Sequence, residues 1–233
     1  MSHQYVDKTE LKTFLGMSGS GQDNNLDFAL DAASAAIDDF CGRVFYATSS
    51  TEDRHYDCEF TDFAYVDDIA TTTGLVVKTL NVDGTDHETL TLGTDFYLYP
   101  HNADKLDPKM PFDKIVMAIK NGGKILPTSY PKSLKVTAKF GFPVQTGSET
   151  VPAAILQATL IQASRFFQRK NSPMGFSGNP ETGQAPVIFL SELDPDVQTL
   201  CKKFKKSTIT LASGRPYVGI TQVNRNRVYG AWN

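Results

Sequence analysis

Apolar side chains recur at a spacing of three to four residues in four separate stretches of the chain. Because 3.6 residues make one turn of an α-helix, this spacing places the apolar side chains on one face of each helix. The predicted helices are residues 8–15, 25–41, 151–170 and 195–206. Their apolar stripes include Leu26, Leu30, Ala33, Ile37 and Phe40 on the second, Leu156, Leu160, Ala163 and Phe167 on the third, and Val197, Leu200, Cys201 and Phe204 on the last.

Helix-terminating signals support these boundaries. Asp7 followed by Glu10 matches a capping box ahead of the first helix. Gly16 and Gly42 are placed to end the first two helices in the left-handed conformation that glycine tolerates. The run Asp194-Pro195-Asp196 offers a capping carboxylate, a proline in the first turn and an acid favoured by the helix dipole.

Between Phe45 and Phe142 the hydrophobic period changes from 3.6 to 2. Alternating apolar and polar positions separated by turn residues are typical of antiparallel strands. The alternating apolar positions are Tyr56, Cys58 and Phe60, then Leu90 and Leu92, then Phe96 and Leu98, and finally Val136, Ala138 and Phe140, with a β-branched run over residues 74–80.

The predicted fold class is therefore α+β, a four-helix core with an inserted antiparallel β domain and an extended C-terminal tail. The helical core comprises residues 1–44 and 150–206, and the inserted β domain residues 45–149. Residues 207–233 have no core-forming periodicity and are predicted to be a C-terminal docking arm.

Charge is distributed unevenly along the chain, although the net charge is only −3. Residues 1–68 hold fourteen acids and four bases, whereas residues 201–233 hold seven bases and no acid. This polarity indicates that the two ends contact different partners; solubilising charge on two unrelated surfaces is the simpler alternative.

No group of side chains predicts catalysis or metal binding. Asp53, His55, Asp57 and Cys58 are the best metal candidates. Strand alternation, however, turns His55 and Asp57 outward and Cys58 inward, so the four cannot converge on one ion. We expect no enzyme activity, no metal and no cofactor. Three cysteines without a CxxC pair suggest reduced thiols, and we expect no signal peptide and no membrane partner, since no apolar run approaches the ~18 residues that a span needs.

Three features go beyond what a monomeric domain needs. Asp27, Asp31 and Asp38 form one stripe on the second helix, either a solvated face or a lining of a DNA conduit that repels phosphates. Ala29, Ala32 and Ala36 allow close approach of another helix, within the fold or across a subunit boundary. The basic tail is either disordered or docked on a partner by aromatic and arginine anchors. Its candidate portal-docking residues are Arg215, Tyr217, Val218, Ile220, Arg225, Arg227, Tyr229 and Trp232.

The segments LDFALDAASAAIDDFCGR (residues 26–43) and VPAAILQATLIQASR (151–165) resemble the head–tail adaptor, or connector, proteins of tailed bacteriophages. In that family an early Ala-rich helix precedes a variable β-containing insert, and a helix beginning Val-Pro follows it. Residues 66–77 and the motif LDPDV at 193–197 also resemble longer members.

The resemblance implies a structural ring subunit of the virion neck, usually in twelve copies, made in the host cytoplasm. Its partners would be the portal protein, a stopper or tail-tube protein, other copies of itself, and genome DNA that passes through the lumen without sequence-specific binding. In several family members a C-terminal segment reaches into the portal, a role that residues 207–233 would suit.

Three other functions remain open. A stopper or tail-completion protein would tend to be smaller and dominated by β structure. A sequence-independent DNA-binding module would depend on the seven bases of residues 201–233 and bind weakly. A hydrolase would need convergent acids, whereas Asp38-Asp39 and Asp67-Asp68 are adjacent pairs that normally diverge.

Overall fold

The computed structural model describes residues 4–118, 123–145, 151–169, 176–177, 187–188, 193–206, 209–210 and 216–217. The chain forms two compact units. The first, here the helical domain, is Met1–Gly42 with Val151–Lys205, and the second, here the β domain, is Arg43–Thr150 with Lys206–Asn233.

The helical domain contains the four predicted helices, and the predicted α+β class is confirmed. α1 is Lys8–Leu15, α2 is Asp23–Cys41, α3 is Ala153–Arg169 and α4 is Pro195–Cys201, which a 3₁₀ turn, Lys202–Phe204, continues. Asp7 and Glu10 make the predicted capping box, Gly16 and Gly42 are left-handed caps, and the Asp194 carboxylate accepts from the Asp196 N–H. Thr150, a possible cap for α3, lies outside the described residues.

The core of the helical domain lies where α2 packs against α3 and α1. Leu26, Leu30, Ala33 and Ile37 of α2 are fully buried, as their spacing predicts. Val197, Cys201 and Phe204 line the buried side of the last helix and its 3₁₀ turn. Phe40 and Leu200, the other members of the predicted stripes, are only half-buried. Local periodicity therefore predicted most of the buried residues of α2 and α4.

The buried face of α3 is rotated from the predicted one. Its buried residues are Ile155, Ala158, Thr159, Gln162 and Ala163, whereas Leu156, Leu160 and Phe167 pack at the edge of the core. Two polar residues can occupy the interior because both are satisfied. The Thr159 hydroxyl donates to the Ile155 carbonyl (2.8 Å), and the Gln162 carbonyl accepts from the Asp194 N–H (3.2 Å).

The β domain is built on a six-stranded antiparallel sheet. Its strands are β1 (Glu52–Tyr56), β2 (Phe63–Leu80), β3 (Asp86–Leu90), β4 (Phe96–Tyr99), β5 (Phe112–Met117) and β6 (Leu134–Phe140). The order is β1-β6-β2-β5-β4, and β3 pairs with the second half of β2.

β2 organises the sheet because it pairs with three other strands. Its first half pairs with β5, its second half with β3, and β6 runs along its opposite edge. Register shifts between Tyr65 and Ile69 and between Thr71 and Val76 bend it. The sequence pattern predicted only residues 74–80 of this strand and did not predict β5.

The buried faces of the strands alternate as the period of two predicts. Val136, Ala138 and Phe140 of β6 face the core, with Ile69, Val77 and Ile115 from its neighbours. β1 ends at Tyr56, however, so the alternation expected to reach Phe60 stops earlier; Cys58 is buried beyond the strand, and Phe60 is 37% exposed.

Two short antiparallel ladders complete the described structure. β7 (Phe176–Ser177) pairs with β8 (Val187–Ile188), and β9 (Ile209–Thr210) pairs with β10 (Pro216–Tyr217). Cys41, Cys58 and Cys201 are buried, and none of the three forms a disulfide. Among the described residues, each helix is too short or too polar to cross a membrane.

Candidate functional site

The predicted docking arm lies almost entirely outside the described residues. Of the eight candidate docking residues, only Tyr217 has a described backbone, in β10, opposite Ile209. Outside the described residues are Arg215, Val218, Ile220, Arg225, Arg227, Tyr229 and Trp232. Docking through these side chains stays a prediction.

The acidic stripe of α2 lies against the first residue of α1 and the residues that precede it. The Lys8 ammonium is 2.8 Å from the Asp27 carboxylate, the Gln4 amide donates to Asp31 (2.9 Å), and the Tyr5 hydroxyl donates to Asp38 (2.5 Å). We call residues 4–8 the N-terminal strap. The carboxylates predicted either to be solvated or to line a conduit are thus hydrogen-bonded within the helical domain.

Asp38 is the most perturbed of these carboxylates. Burial raises the pKa of Asp38 to about 7, against the opposing hydrogen bond from Tyr5, and the charge of Asp39 adds to the rise. Tyr5 itself is 8% exposed, and its backbone N–H donates to the Ser34 hydroxyl (3.3 Å). The strap is therefore anchored at its centre by an aromatic ring and two hydrogen bonds.

The alanine flank of α2 is divided between interior and surface. Ala29 is buried, Ala36 is half-buried and Ala32 is exposed. Phe28, four residues before Ala32, is 72% exposed. Ala29 thus serves packing within the domain, whereas the stripe that contains Phe28, Ala32, Ala35 and Asp39 faces outward.

The side chains considered for a metal have separate partners. The Asp53 carboxylate accepts from the Thr137 hydroxyl (2.6 Å), and the Asp57 carboxylate accepts from the Lys132 N–H (2.6 Å). Burial raises the pKa of the Cys58 thiol. Within the described part of the chain, no three His, Cys, Asp or Glu side chains converge as metal ligands.

The adjacent acids Asp67 and Asp68 diverge and are both buried. Asp67 contacts the Arg54 guanidinium at 2.8 Å and accepts from the Tyr56 hydroxyl at 3.1 Å. Asp68 contacts Arg43 at 3.5 Å and Lys206 at 3.1 Å. Because a cation contacts each carboxylate, both charges are compensated inside the β domain, and the two acids offer no free acid–base pair.

One surface of the β domain, formed by side chains of β2, β4 and β5, was not predicted from the sequence. Phe63 and Tyr65 of β2, Lys114 of β5, and Tyr99 of β4 lie on the same side of the sheet, and the Lys114 ammonium is 4.2 Å from the centre of the Tyr99 ring. We call this surface the Lys114 face; it also includes Phe60, Tyr97 and Val116. The alternating aromatic residues of β2 and β4 are the sequence feature that could have indicated this surface. The surface forms only because β5 lies between these two strands.

No known protein family matches the sequence, and no curated protein matches it in sequence. Solved structures do match its fold. A chain from the neck of an empty gene transfer agent (GTA) particle, computed with C6 symmetry, is 14% identical. Its TM-score is 0.52, with 91% of this chain and 94% of that chain covered. The chain therefore shares its α+β fold, over nearly its whole length, with a neck component of a phage-like particle.

Proposed function

We propose that this chain is a structural adaptor subunit of a head–tail connector ring, located at the neck of a phage-like particle. The observation that carries the proposal is the likeness in fold to a GTA neck chain, which extends over 91% of this chain and includes both its helices and its sheet. The sequence resemblance of residues 26–43 and 151–165 to phage adaptors points to the same class independently.

The finer assignment follows from that resemblance. The ring would contain twelve copies, contact the portal protein on one side and a stopper or tail-tube protein on the other, and surround the path of genome DNA. Residues 207–233 would be the portal-docking arm. Their concentration of arginine and aromatic residues supports this role, because such side chains dominate the energetics of protein interfaces.

Deletion of residues 207–233 tests the arm. When the truncated chain replaces the full-length chain, we expect electron microscopy to show DNA-filled heads without tails. The circular dichroism spectrum of the purified truncated protein should be unchanged, which shows that it still folds. Normal tail attachment by the truncated chain would refute arm docking, and a neck that contains no ring of this chain would refute the connector role itself.

A matched pair of variants separates specific docking from general charge. The first replaces Arg215, Arg225 and Arg227 with alanine, and the second replaces Lys202, Lys203 and Lys205. Both remove three positive charges, but only the first set lies in the arm. We expect the arginine variant alone to lose head–tail joining; equal loss in both would indicate a general charge effect.

The conduit role of Asp27, Asp31 and Asp38 is part of the proposal and is best tested at the first two. Asp38 is buried against Tyr5, so a change there also alters the strap. The double variant Asp27→Asn/Asp31→Asn removes two charges yet keeps oxygen acceptors for Lys8 and Gln4. We expect complete particles with slower DNA ejection; unchanged ejection would exclude these carboxylates from the conduit.

A further inference from the structure

The Lys114 face consists of two parallel rows of side chains that cross three strands. Tyr65 pairs with Lys114, which pairs with Tyr99; Phe63 pairs with Val116, which pairs with Tyr97. Ile115 and Met117, which alternate with them along β5, are buried in the core. The opposite side of the sheet is therefore the interior, and these rows face outward.

A single cation lies within this aromatic surface. The Lys114 ammonium is 4.2 Å from the ring centre of Tyr99, 5.5 Å from that of Phe63 and 5.6 Å from that of Tyr65. None of the ion pairs formed among the described residues includes Lys114. The aromatic rings attract the cation by cation–π interaction. The Asp113 carboxylate acts on the Lys114 charge but forms no ion pair with it.

Large aromatic side chains remain open to solvent around this cation. Tyr97 is 47% exposed and Tyr99 43%, and Phe60 stacks on Phe63 with ring centres 4.4 Å apart. β4 is also the last strand in the order of the sheet. A cluster of exposed aromatic residues around one cation is typical of a protein interface whose partner presents a carboxylate.

Nucleic acid fits this surface poorly. Residues 43–150, the segment of the chain that contains Lys114, carry fifteen acidic and eleven basic side chains and are net negative. Binding to DNA depends on several neutralised phosphates, and a single lysine neutralises one. The chemistry therefore favours a protein segment with one exposed acid beside small apolar side chains.

The chain itself carries such a segment. On α2, Ala32, Ala35 and Asp39 are exposed and lie on one stripe, at i, i+3 and i+7, below the exposed ring of Phe28. The small alanines allow the helix to approach a flat aromatic surface closely, and Asp39 supplies the carboxylate. A ring whose subunits join head to tail needs two such different, complementary surfaces on every copy.

We propose that the Lys114 face binds the α2 stripe of a second copy of this chain, with Asp39 of one copy paired to Lys114 of the next. The alanines of the stripe pack on Tyr65 and Tyr99, and Phe28 extends the apolar contact. The inference rests on the proposed ring, because it assigns the two surfaces through which neighbouring subunits join.

Photo-crosslinking tests the contact directly. Tyr97 is replaced with p-benzoylphenylalanine, which preserves an aromatic ring on the face, and both purified particles and the purified full-length chain are irradiated. We expect covalent dimers whose crosslinked peptide lies within residues 23–41. Crosslinks to another protein or to nucleic acid would overturn the proposal. So would the absence of a crosslink between copies from both the particles and the purified chain.

A charge exchange supplies the second measurement. Lys114→Glu and Asp39→Lys are each expected to lower the yield of crosslinked dimer at least tenfold, and the double variant to restore it. Lys114→Arg is the matched control and should retain the yield. If the double variant stays as low as the single ones, Asp39 is not the partner of Lys114 and the proposed pairing is wrong.

This design separates the inference from the proposed function. A neck ring that contains the chain but gives no crosslink from position 97 to α2 refutes the contact and leaves the connector role intact. Particles whose neck lacks the chain refute the connector role, and the irradiated purified chain then still decides whether the two surfaces bind each other.

Discussion

Asp27 and Asp31 of the helical domain differ from Asp67 and Asp68 of the β domain in burial and in the side chains that bind them. On α2, Asp27 and Asp31 lie at the surface and are bonded by the side chains of a short strap. In the β domain, Asp67 and Asp68 are only 5% and 6% exposed and are held by arginine and lysine side chains. The surface acids can change with little effect on the fold, whereas the buried acids are part of the architecture.

Removing a buried carboxylate should give the largest effect. Asp67→Ala leaves the Arg54 guanidinium and the Tyr56 hydroxyl without their shared acceptor inside the β domain. Breaking one partner of a buried ion pair typically costs about 3–5 kcal/mol, because the remaining charge is uncompensated. Glu52 still contacts the Arg54 guanidinium at 3.3 Å, so part of that charge remains compensated. We expect a decrease of about 3 kcal/mol in the free energy of unfolding, the low end of that range, measured by urea denaturation.

The matched control for this prediction is Asp86→Ala in the same domain. Asp86 binds Lys78 and Lys135, but it lies at the surface, where solvent screens the pairs. Its replacement should leave the unfolding midpoint nearly unchanged. Similar losses from the two substitutions would show that burial does not distinguish these ion pairs.

Two glycines give a smaller, sharper comparison between the domains. Gly141 of the β domain has a φ of +115°, and a Cβ there would lie 1.9 Å from the Tyr46 carbonyl oxygen. Gly16, which ends α1, has a φ of +64°, and a Cβ there would have no atom within 4 Å beyond its chain neighbours. Because only Gly141 combines strain with a backbone clash, Gly141→Ala should destabilise by about 2–3 kcal/mol and Gly16→Ala by about 1 kcal/mol.

Thermal unfolding followed by circular dichroism measures this difference. The two substitutions add the same methyl group, so any excess for Gly141 reports the close approach of the Tyr46 backbone. Equal losses would mean that the backbone around Gly141 relaxes to accept a side chain.

The helices could be predicted from the sequence because their signals are local. A capping box at Asp7, a glycine at position 42 and the spacing of Leu26, Leu30 and Ile37 all lie within a few turns of the residues they define. The face of α3 was missed because Thr159 and Gln162 are polar but find hydrogen-bond partners inside the core. Hydrophobic periodicity alone does not detect a satisfied polar residue.

The Lys114 face could not be predicted because it depends on strand pairing between distant segments. Tyr65, Tyr99 and Lys114 become neighbours only when β5 lies between β2 and β4. Helical spacing predicted that three aspartates lie on one side of α2. It did not predict the strap that binds them, because the path of residues 4–8 follows no periodic pattern.

The smallest predicted effect is on the pH dependence of the free energy of unfolding, for Asp38 of the helical domain and Asp113 of the β domain. Burial raises the pKa of Asp38 to about 7, above the ~3.9 of an aspartate in an unfolded chain. Between these values the folded state binds more protons than the unfolded state, so the free energy of unfolding falls as pH rises from about 4 to about 7. Asp38→Asn stays neutral while its amide oxygen still accepts from Tyr5.

A pKa difference of about three units corresponds to about 4 kcal/mol for a fully buried carboxyl, and solvent screening reduces it because Asp38 is only half-buried. We therefore expect Asp38→Asn to match the wild type near pH 4 and to exceed its free energy of unfolding by about 1–2 kcal/mol at pH 8, measured by urea denaturation at each pH. Asp113→Asn is the matched variant in the β domain, where burial also raises the pKa of the carboxyl, although the nearby Lys206 lowers it. Since that cation stabilises the ionised form, Asp113→Asn should gain less at pH 8 than Asp38→Asn. If the pH curves of the Asp38 variant and the wild type run parallel, Asp38 ionises freely under the strap. The two domains would then not differ in how they affect the ionisation of their half-buried acids, Asp38 and Asp113.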